Sequence, residues 1–211
     1  MWSSRSEASP WSCPRRGAGF NLIELLVVMA FMAVILGLGM PSMLKALSRA
    51  RAVAFARQVA TAMQGARGEA VKRSAVARVE VHFADNSVIA YVDLNGDGAY
   101  TPGTDVLVMK VSAPSGIVLQ GPGPVSAANV NAFSGFDPIA GGGVAYFNSD
   151  GSVVRPGGFR FRDKRDNIME AFVANQAAAS IVVRKYAGNP TGIDDPKKYI
   201  ESGEQGGWIW N

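Results

Sequence analysis

A single carboxylate, Glu24, sits near the start of an otherwise apolar run from Phe20 to Met40, F-N-L-I-E-L-L-V-V-M-A-F-M-A-V-I-L-G-L-G-M. A carboxylate in such surroundings costs about 2.5–3.5 kcal/mol on membrane-insertion scales, and a plain membrane anchor has no need of it. The bland alternative is a charge near a helix end that snorkels to the interface. A second set of oxygen-bearing side chains, Asp93, Asn95, Asp97 and Asp105, falls in a loop where Gly96 and Gly98 permit tight turns. Oxygens at alternate positions resemble the opening of a calcium loop, but Thr104 stands where the bidentate acid belongs and no helix pattern follows. The same residues suit an Asx-rich turn whose side chains bond their own backbone, so Ca²⁺ site and turn both stand at this point.

The densest basic set is Arg155, Arg160, Arg162, Lys164, Arg165, Arg184 and Lys185. A nucleic-acid surface would need them exposed and interleaved with stacking aromatics. Asp163, Asp166 and Glu170 lie among them instead, and only Phe159, Phe161 and Phe172 are near, so they read as solvated strand edges. His82 is the only histidine, on the polar side of a strand pattern with no metal-ligating companion, and reads as a solvated strand residue. Nucleophile elbow, phosphate loop and zinc spacing are all missing from the sequence, and no enzyme is expected.

These residues need elements to hold them. Phe20 to Met40 spans roughly 31 Å as a helix, which matches a hydrocarbon core of about 30 Å. Helical spacing continues past Pro41, a position expected to kink the helix. Phe55, Val59, Met63, Ala66 and Ala70 recur at steps of three and four and share one face. Arg51, Arg57, Gln64, Arg67 and Lys72 take much of the remainder, so residues 44–73 read as an amphipathic continuation that Gly65 and Gly68 weaken.

Near Ala75 the period changes to two. Val79, Val81 and Phe83 alternate with Arg78, Glu80 and His82, and further strands are expected at 88–92, 106–109, 117–119, 144–147, 158–162 and 180–186. The Pro/Gly/Ser/Asn-rich stretch 112–143 reads as an extended surface loop around the short strand at Ile117. The expected class is therefore α+β with antiparallel sheet behind one long helix. The terminal Trp208-Ile209-Trp210 reads as a plug folding back on the domain, with an exposed docking element as the alternative.

The 211 residues carry 21 Lys+Arg against 17 Asp+Glu. Removing residues 1–19 leaves 192 residues with a net charge of +2, too balanced for a strongly electrostatic nucleic-acid binder. Cys13, the only cysteine, lies within those first 19 residues, so no disulfide is expected in the other 192. Three arginines precede the apolar run (Arg5, Arg15, Arg16) and four cations come after it (Lys45, Arg49, Arg51, Arg57), so the positive-inside rule alone does not orient the segment.

Arg15, Arg16 and the Gly19-Phe20 junction ahead of N-L-I-E-L resemble the class III signal of type IV prepilins and type II secretion pseudopilins, with Asn21 in place of the usual Thr. Ala66-Arg67-Gly68-Glu69-Ala70-Val71-Lys72-Arg73, the Asp93–Tyr100 turn, Phe147–Gly151 and Ile181–Gly188 are similar to segments of the GspH/FimT branch. The resemblance implies a pilin-like fold, cleavage by the prepilin peptidase after Gly19 and N-methylation of Phe20. It assigns Glu24 to assembly, paired with the new terminal amine of a neighbouring subunit; such a pair fixes axial register in a low-dielectric bundle. The implied divisions are a leader at 1–19, a membrane helix at 20–43, a periplasmic domain at 44–188 and a tail at 189–211. The implied partners are other pilin or pseudopilin subunits, the peptidase and an inner-membrane assembly platform. The implied role is a minor pseudopilin of type II secretion; the alternative is a type IV minor pilin, with DNA binding in some relatives.

Overall fold

The computed structural model describes residues 21–123, 129, 131–186 and 208–210. Gly19, Phe20, the leader and most of the tail lie outside the described residues. Contacts divide the chain into two units, Met1–Met43 and Leu44–Asn211.

In the first unit, helix α1 begins at Leu22 and extends, across the unit boundary, to Arg73. Asn21 caps it: its carbonyl accepts from the N–H groups of Glu24 (2.9 Å) and Leu25 (3.2 Å), and its side-chain Oδ1 lies 3.4 Å from Ile23 N. An Asn oxygen caps first-turn donors at least as well as the Thr oxygen it replaces, so Asn21 is a mild departure from the motif. The helix runs on through Pro41. Every side chain described between Asn21 and Met43 is exposed.

In the second unit the strands are β1 (Ala77–His82), β2 (Ser87–Val92), β3 (Val106–Ser112), β4 (Ile117–Leu119), β5 (Phe133–Ser134), β6 (Asp137–Ile139), β7 (Gly142–Phe147), β8 (Gly157–Asp163), β9 (Ile168–Val173), β10 (Ile181–Tyr186) and β11 (Trp208–Trp210). They form two antiparallel sheets, ordered β3-β2-β1-β7-β6 and β11-β10-β9-β8-β4, with β5 also pairing with β8. The α+β class and the antiparallel pairing are as expected from the periodicities.

One core joins both sheets to α1. Phe55, Val59, Met63, Ala66 and Ala70 are all buried, together with Ala52, Ala56 and Ala62, among Val79, Val81 and Ala90 of the first sheet and Phe159, Phe161, Met169 and Ala171 of the second. Phe55 meets Phe161 edge-on at 4.8 Å between ring centroids. Small residues beside the large ones let the sheet come close. A Cβ on Gly65 would stand 3.0 Å from Val108 Cγ1, whereas a Cβ on Gly68 would meet nothing within 4 Å. The helix ends at Ser74, whose φ of 51° allows Ala75 N to reach back to the Ala70 carbonyl at 3.2 Å.

Two expectations need correction. Residues 112–143 are not an extended surface loop around one strand: they contain β5 and β6, and Gln120, Gly121, Pro122, Gly123, Ala132 and Phe136 are buried. The described ends of the segment run along the edge of β8, between its pairings with β4 and β5, tied by Arg160 N to Ala132 O (2.7 Å) and by Gln120 N to Arg160 O (3.1 Å). Glycine is needed at 121, where a Cβ would fall 2.1 Å from the Asn131 carbonyl. The second correction is β9, a central strand that the sequence reading does not contain. Its Met169, Glu170 and Ala171 favour helices, and only burial between β8 and β10 makes them strand residues.

The two helix glycines yield a test. Gly68→Ala in the full chain, held in detergent, should add about 1 kcal/mol of stability through helix propensity, read as a higher melting temperature. Gly65→Ala should show no such gain, because its methyl presses on Val108. Equal gains at both positions would refute the close approach at Gly65.

Candidate functional site

Glu24 lies in the first turn of α1 and is exposed. A carboxylate there interacts favourably with the helix dipole. It is the one charged residue between Asn21 and Met43, on a helix apolar on all sides, with Leu22, Ile23, Phe31, Ile35 and Leu36 each more than half exposed. The helix is long and apolar enough to cross a membrane. A helix apolar all round has no stable place in water and must find either lipid or other helices.

The loop 93–105 brings three of its four predicted ligands together. One carboxylate oxygen each from Asp93, Asp97 and Asp105 lies within 4.8 Å of the others. Those carboxylates also hold the loop's backbone. Asp93 accepts from Gly96 N (2.7 Å) and Gly98 N (3.1 Å), and Asp97 accepts from Ala99 N (2.8 Å). Asp105, buried, accepts from Leu94 N (3.0 Å) and Thr101 N (2.7 Å). Asn95 spends its side chain on Asp97 instead of joining the cluster, with Nδ2 donating to Asp97 Oδ2 at 2.7 Å. The Ala99 N–H, then Asn95, hold the Asp97 carboxyl below the usual carboxylate range. The arrangement is that of a self-bonded Asx turn whose acids happen to converge.

The polar face of β1 is more enclosed than a solvated strand edge. Glu80 is buried and accepts from Tyr91 Oη (2.8 Å) and Arg78 Nε (3.0 Å), with His82 Nε2 3.4 Å from its other oxygen. Burial first, and then the bond to Glu80, push the Tyr91 phenol well above its ordinary pKa, so it stays a donor. His82 is part-exposed and does meet an acid, contrary to the isolated residue expected.

The basic set departs most from its expected placement. Arg160 and Arg162 are not solvated: they are 3% and 2% exposed. Arg160, Glu170 and Arg184 are direct cross-strand neighbours on β8, β9 and β10 and form one rung. Glu170, 0% exposed, receives Arg160 Nε at 2.7 Å and Arg184 Nε at 2.5 Å. Arg184 also lies 3.7 Å over the Phe172 ring, and Arg162 donates to the Gly123 carbonyl at 2.9 Å and pairs with Asp166. Arg155 is exposed and pairs with Asp137, while Lys164 and Arg165 are exposed. Without β9 in the sequence reading, nothing aligned Glu170 with its two arginines. The terminal strand β11 does fold back, pairing with β10 opposite residues 184–186.

Glu170→Gln should therefore cost about 3–5 kcal/mol, because a buried guanidinium, Arg160, and a part-buried one, Arg184, lose the carboxylate between them. Denaturant unfolding of the full chain measures this, and a loss near zero would show that the rung is not a buried ion pair. Millimolar Ca²⁺ is expected to leave the melting temperature unchanged. A rise approaching the roughly 2.7 kcal/mol of a hundredfold excess over Kd, lost in Asp97→Asn, would make the loop a cation site.

Comparison with known proteins places this architecture. Pilin-like protein PilA1 of Thermus thermophilus is 35% identical over 89 residues, covering 41% of this chain and 55% of that protein; the chain thus spans about half the length of the curated relative it matches. The solved minor pseudopilin EpsH from the type 2 secretion system of Vibrio cholerae aligns over 63% of this chain and 95% of that one, with a TM-score of 0.42 and 13% identity. The family profile described as type II transport protein GspH matches residues 56–185, from the buried face of α1 to the last residues of β10. The chain belongs to the GspH family.

Proposed function

We propose that this chain is a minor pseudopilin of a type II secretion system, made as a prepilin, held in the inner membrane by residues 20–43 and carrying its folded domain in the periplasm. The observation that carries this reading is the exposed apolar helix with Glu24 as its sole charge, continuous with the helix on which the domain folds. In a bilayer the apolar surface is satisfied by lipid. In a filament it is satisfied by neighbouring helices, and there an unpaired Glu24 would be costly. The prepilin peptidase cuts after Gly19, and the amine of Phe20, once methylated, supplies the cation that Glu24 of an adjoining subunit needs. Partners are other pilin or pseudopilin subunits and the inner-membrane platform that assembles them.

A minor pilin of a type IV pilus is the second reading, favoured by the pilin-like relative. DNA capture by the basic set has less support, since Arg160 and Arg162 are buried and Arg160 and Arg184 serve Glu170.

N-terminal sequencing of membrane-extracted protein should give methylated Phe20. A mature chain starting at Met1 or beyond Met40 would sink the proposal. In the same cells Glu24→Leu should be processed and inserted normally, because it removes the one charge from the apolar run. It should nevertheless fail to crosslink or co-purify with other subunits, having lost about 3–5 kcal/mol of buried pairing. Wild-type assembly by Glu24→Leu would reduce Glu24 to a tolerated charge.

A further inference from the structure

A groove of about 320 Å³ opens in the folded unit between the start of its helix and two turns of the sheets, lined by Leu44, Leu47, Arg51, Ser115, Lys164 and Arg165. Its lining is mixed, with two leucines and three cations. The cations are placed by the fold. Ser48 Oγ donates to Asp163 Oδ2 at 2.8 Å, which ties the β8–β9 turn to α1 and brings residues 164 and 165 beside Arg51. Arg165 N donates to Asp163 Oδ1 at 2.8 Å, and Lys164 N donates to the Gly116 carbonyl at 3.1 Å. Gly116, at a φ of 91°, leaves room for the lysine stem: a Cβ there would stand 3.1 Å from Lys164 Cε.

Asp163 is the acid beneath the groove. Burial raises its pKa, but bonds from Asn167, Ser48 and two backbone N–H groups outweigh that and hold the carboxyl below its ordinary range. Its charge is thus spent on Ser48, Asn167 and the turn. Among the described residues, Arg51, Lys164 and Arg165 have no ion-pair partner.

We propose that this groove seats the headgroup phosphate of an anionic phospholipid while the subunit resides in the membrane, with Arg51, Lys164 and Arg165 on the phosphate and Leu44 and Leu47 against the root of the acyl chains. The inference rests on the membrane-resident reading above. Leu44 and Leu47 lie one and four residues after Met43, where the apolar unit ends. Chain length alone keeps them within about 14 Å of that point. Headgroup zones occupy the roughly 5–8 Å beyond each side of the hydrocarbon core, so a phosphate is within reach of side chains anchored there. Charge complementarity favours an anionic lipid over a zwitterionic one, by about fivefold for each cation near the surface at low salt.

The test uses the full chain, delipidated in non-ionic detergent, with bound lipid counted by native mass spectrometry. Phosphatidylglycerol should be retained over phosphatidylcholine, and the preference should fall as salt rises. Lys164→Gln combined with Arg165→Gln should lower phosphatidylglycerol affinity about 25-fold, leaving phosphatidylcholine binding and the melting temperature unmoved. Equal retention of the two lipids, or an undiminished preference in the double variant, overturns the proposal. Displacement of the lipid by millimolar inorganic phosphate would make this a free-anion site, and displacement by an acidic peptide from a neighbouring subunit a protein-docking one; either outcome also overturns it. Extraction of the wild-type chain from membranes by alkaline carbonate would instead sink the membrane-resident reading. Loss of lipid preference in a chain that resists extraction sinks only the lipid site.

Discussion

Both sheets bury their inner faces against one stretch of helix, residues 52–70, and nearly everything else in the folded unit depends on that shared wall. Each sheet has a single apolar side that needs cover, and α1 supplies it to both. This is why the helix face is a mixture of extremes. Phe55, Val59 and Met63 fill volume, while Ala56, Ala62, Gly65 and Ala66 let strands approach. Packing at that density leaves little room for change in either direction, since added methylenes force strain and removed ones leave cavities. The propensity cost of Gly65 is a local concession to that packing, whereas Gly68 meets no such neighbour.

The outer face of the second sheet obeys a different rule. Its Arg160–Glu170–Arg184 rung is closed in by neighbours from the preceding segment: Arg160 Nη1 donates to the Asn131 carbonyl and Ser134 Oγ donates to Glu170 Oε1. The buried ions depend on one another, and Arg162 in turn holds the described end of the loop through Gly123. Charge here organises an otherwise irregular segment. A Pro/Gly-rich stretch with little apolar content of its own is fastened by guanidinium groups and backbone bonds. Arg160 and Arg162, which the sequence reading places on solvated strand edges, are internal fasteners in the fold.

How much was legible in the sequence depends on which signals are local. The buried helix face, β1 to β4, β7, β8 and β10 show themselves by period, because their neighbours in sequence share a single environment. The resemblance at Gly19-Phe20 and Glu24 is equally local. What escaped is non-local. β9 has helix-favouring residues and becomes a strand only between two partners, and without it Glu170 has no visible link to Arg160 or Arg184. Burial of Arg160 and Arg162 depends on a loop some 30–40 positions earlier in the chain folding across them. The acids of loop 93–105 were seen, but spacing alone does not say whether their oxygens face a cation or their own amides.

The bond between Ser48 and Asp163 joins residues 115 positions apart, close to where the helix enters the folded unit. A tensile load arriving along α1 from the direction of Leu44 meets this cross-link before it reaches the packed stretch at 52–70. Beyond it, the core contacts run alongside the helix and must slide together in shear instead of peeling one by one. Shear geometry shares a force among many contacts at once. A force that enters there is thereby kept from unravelling the folded unit at its edge.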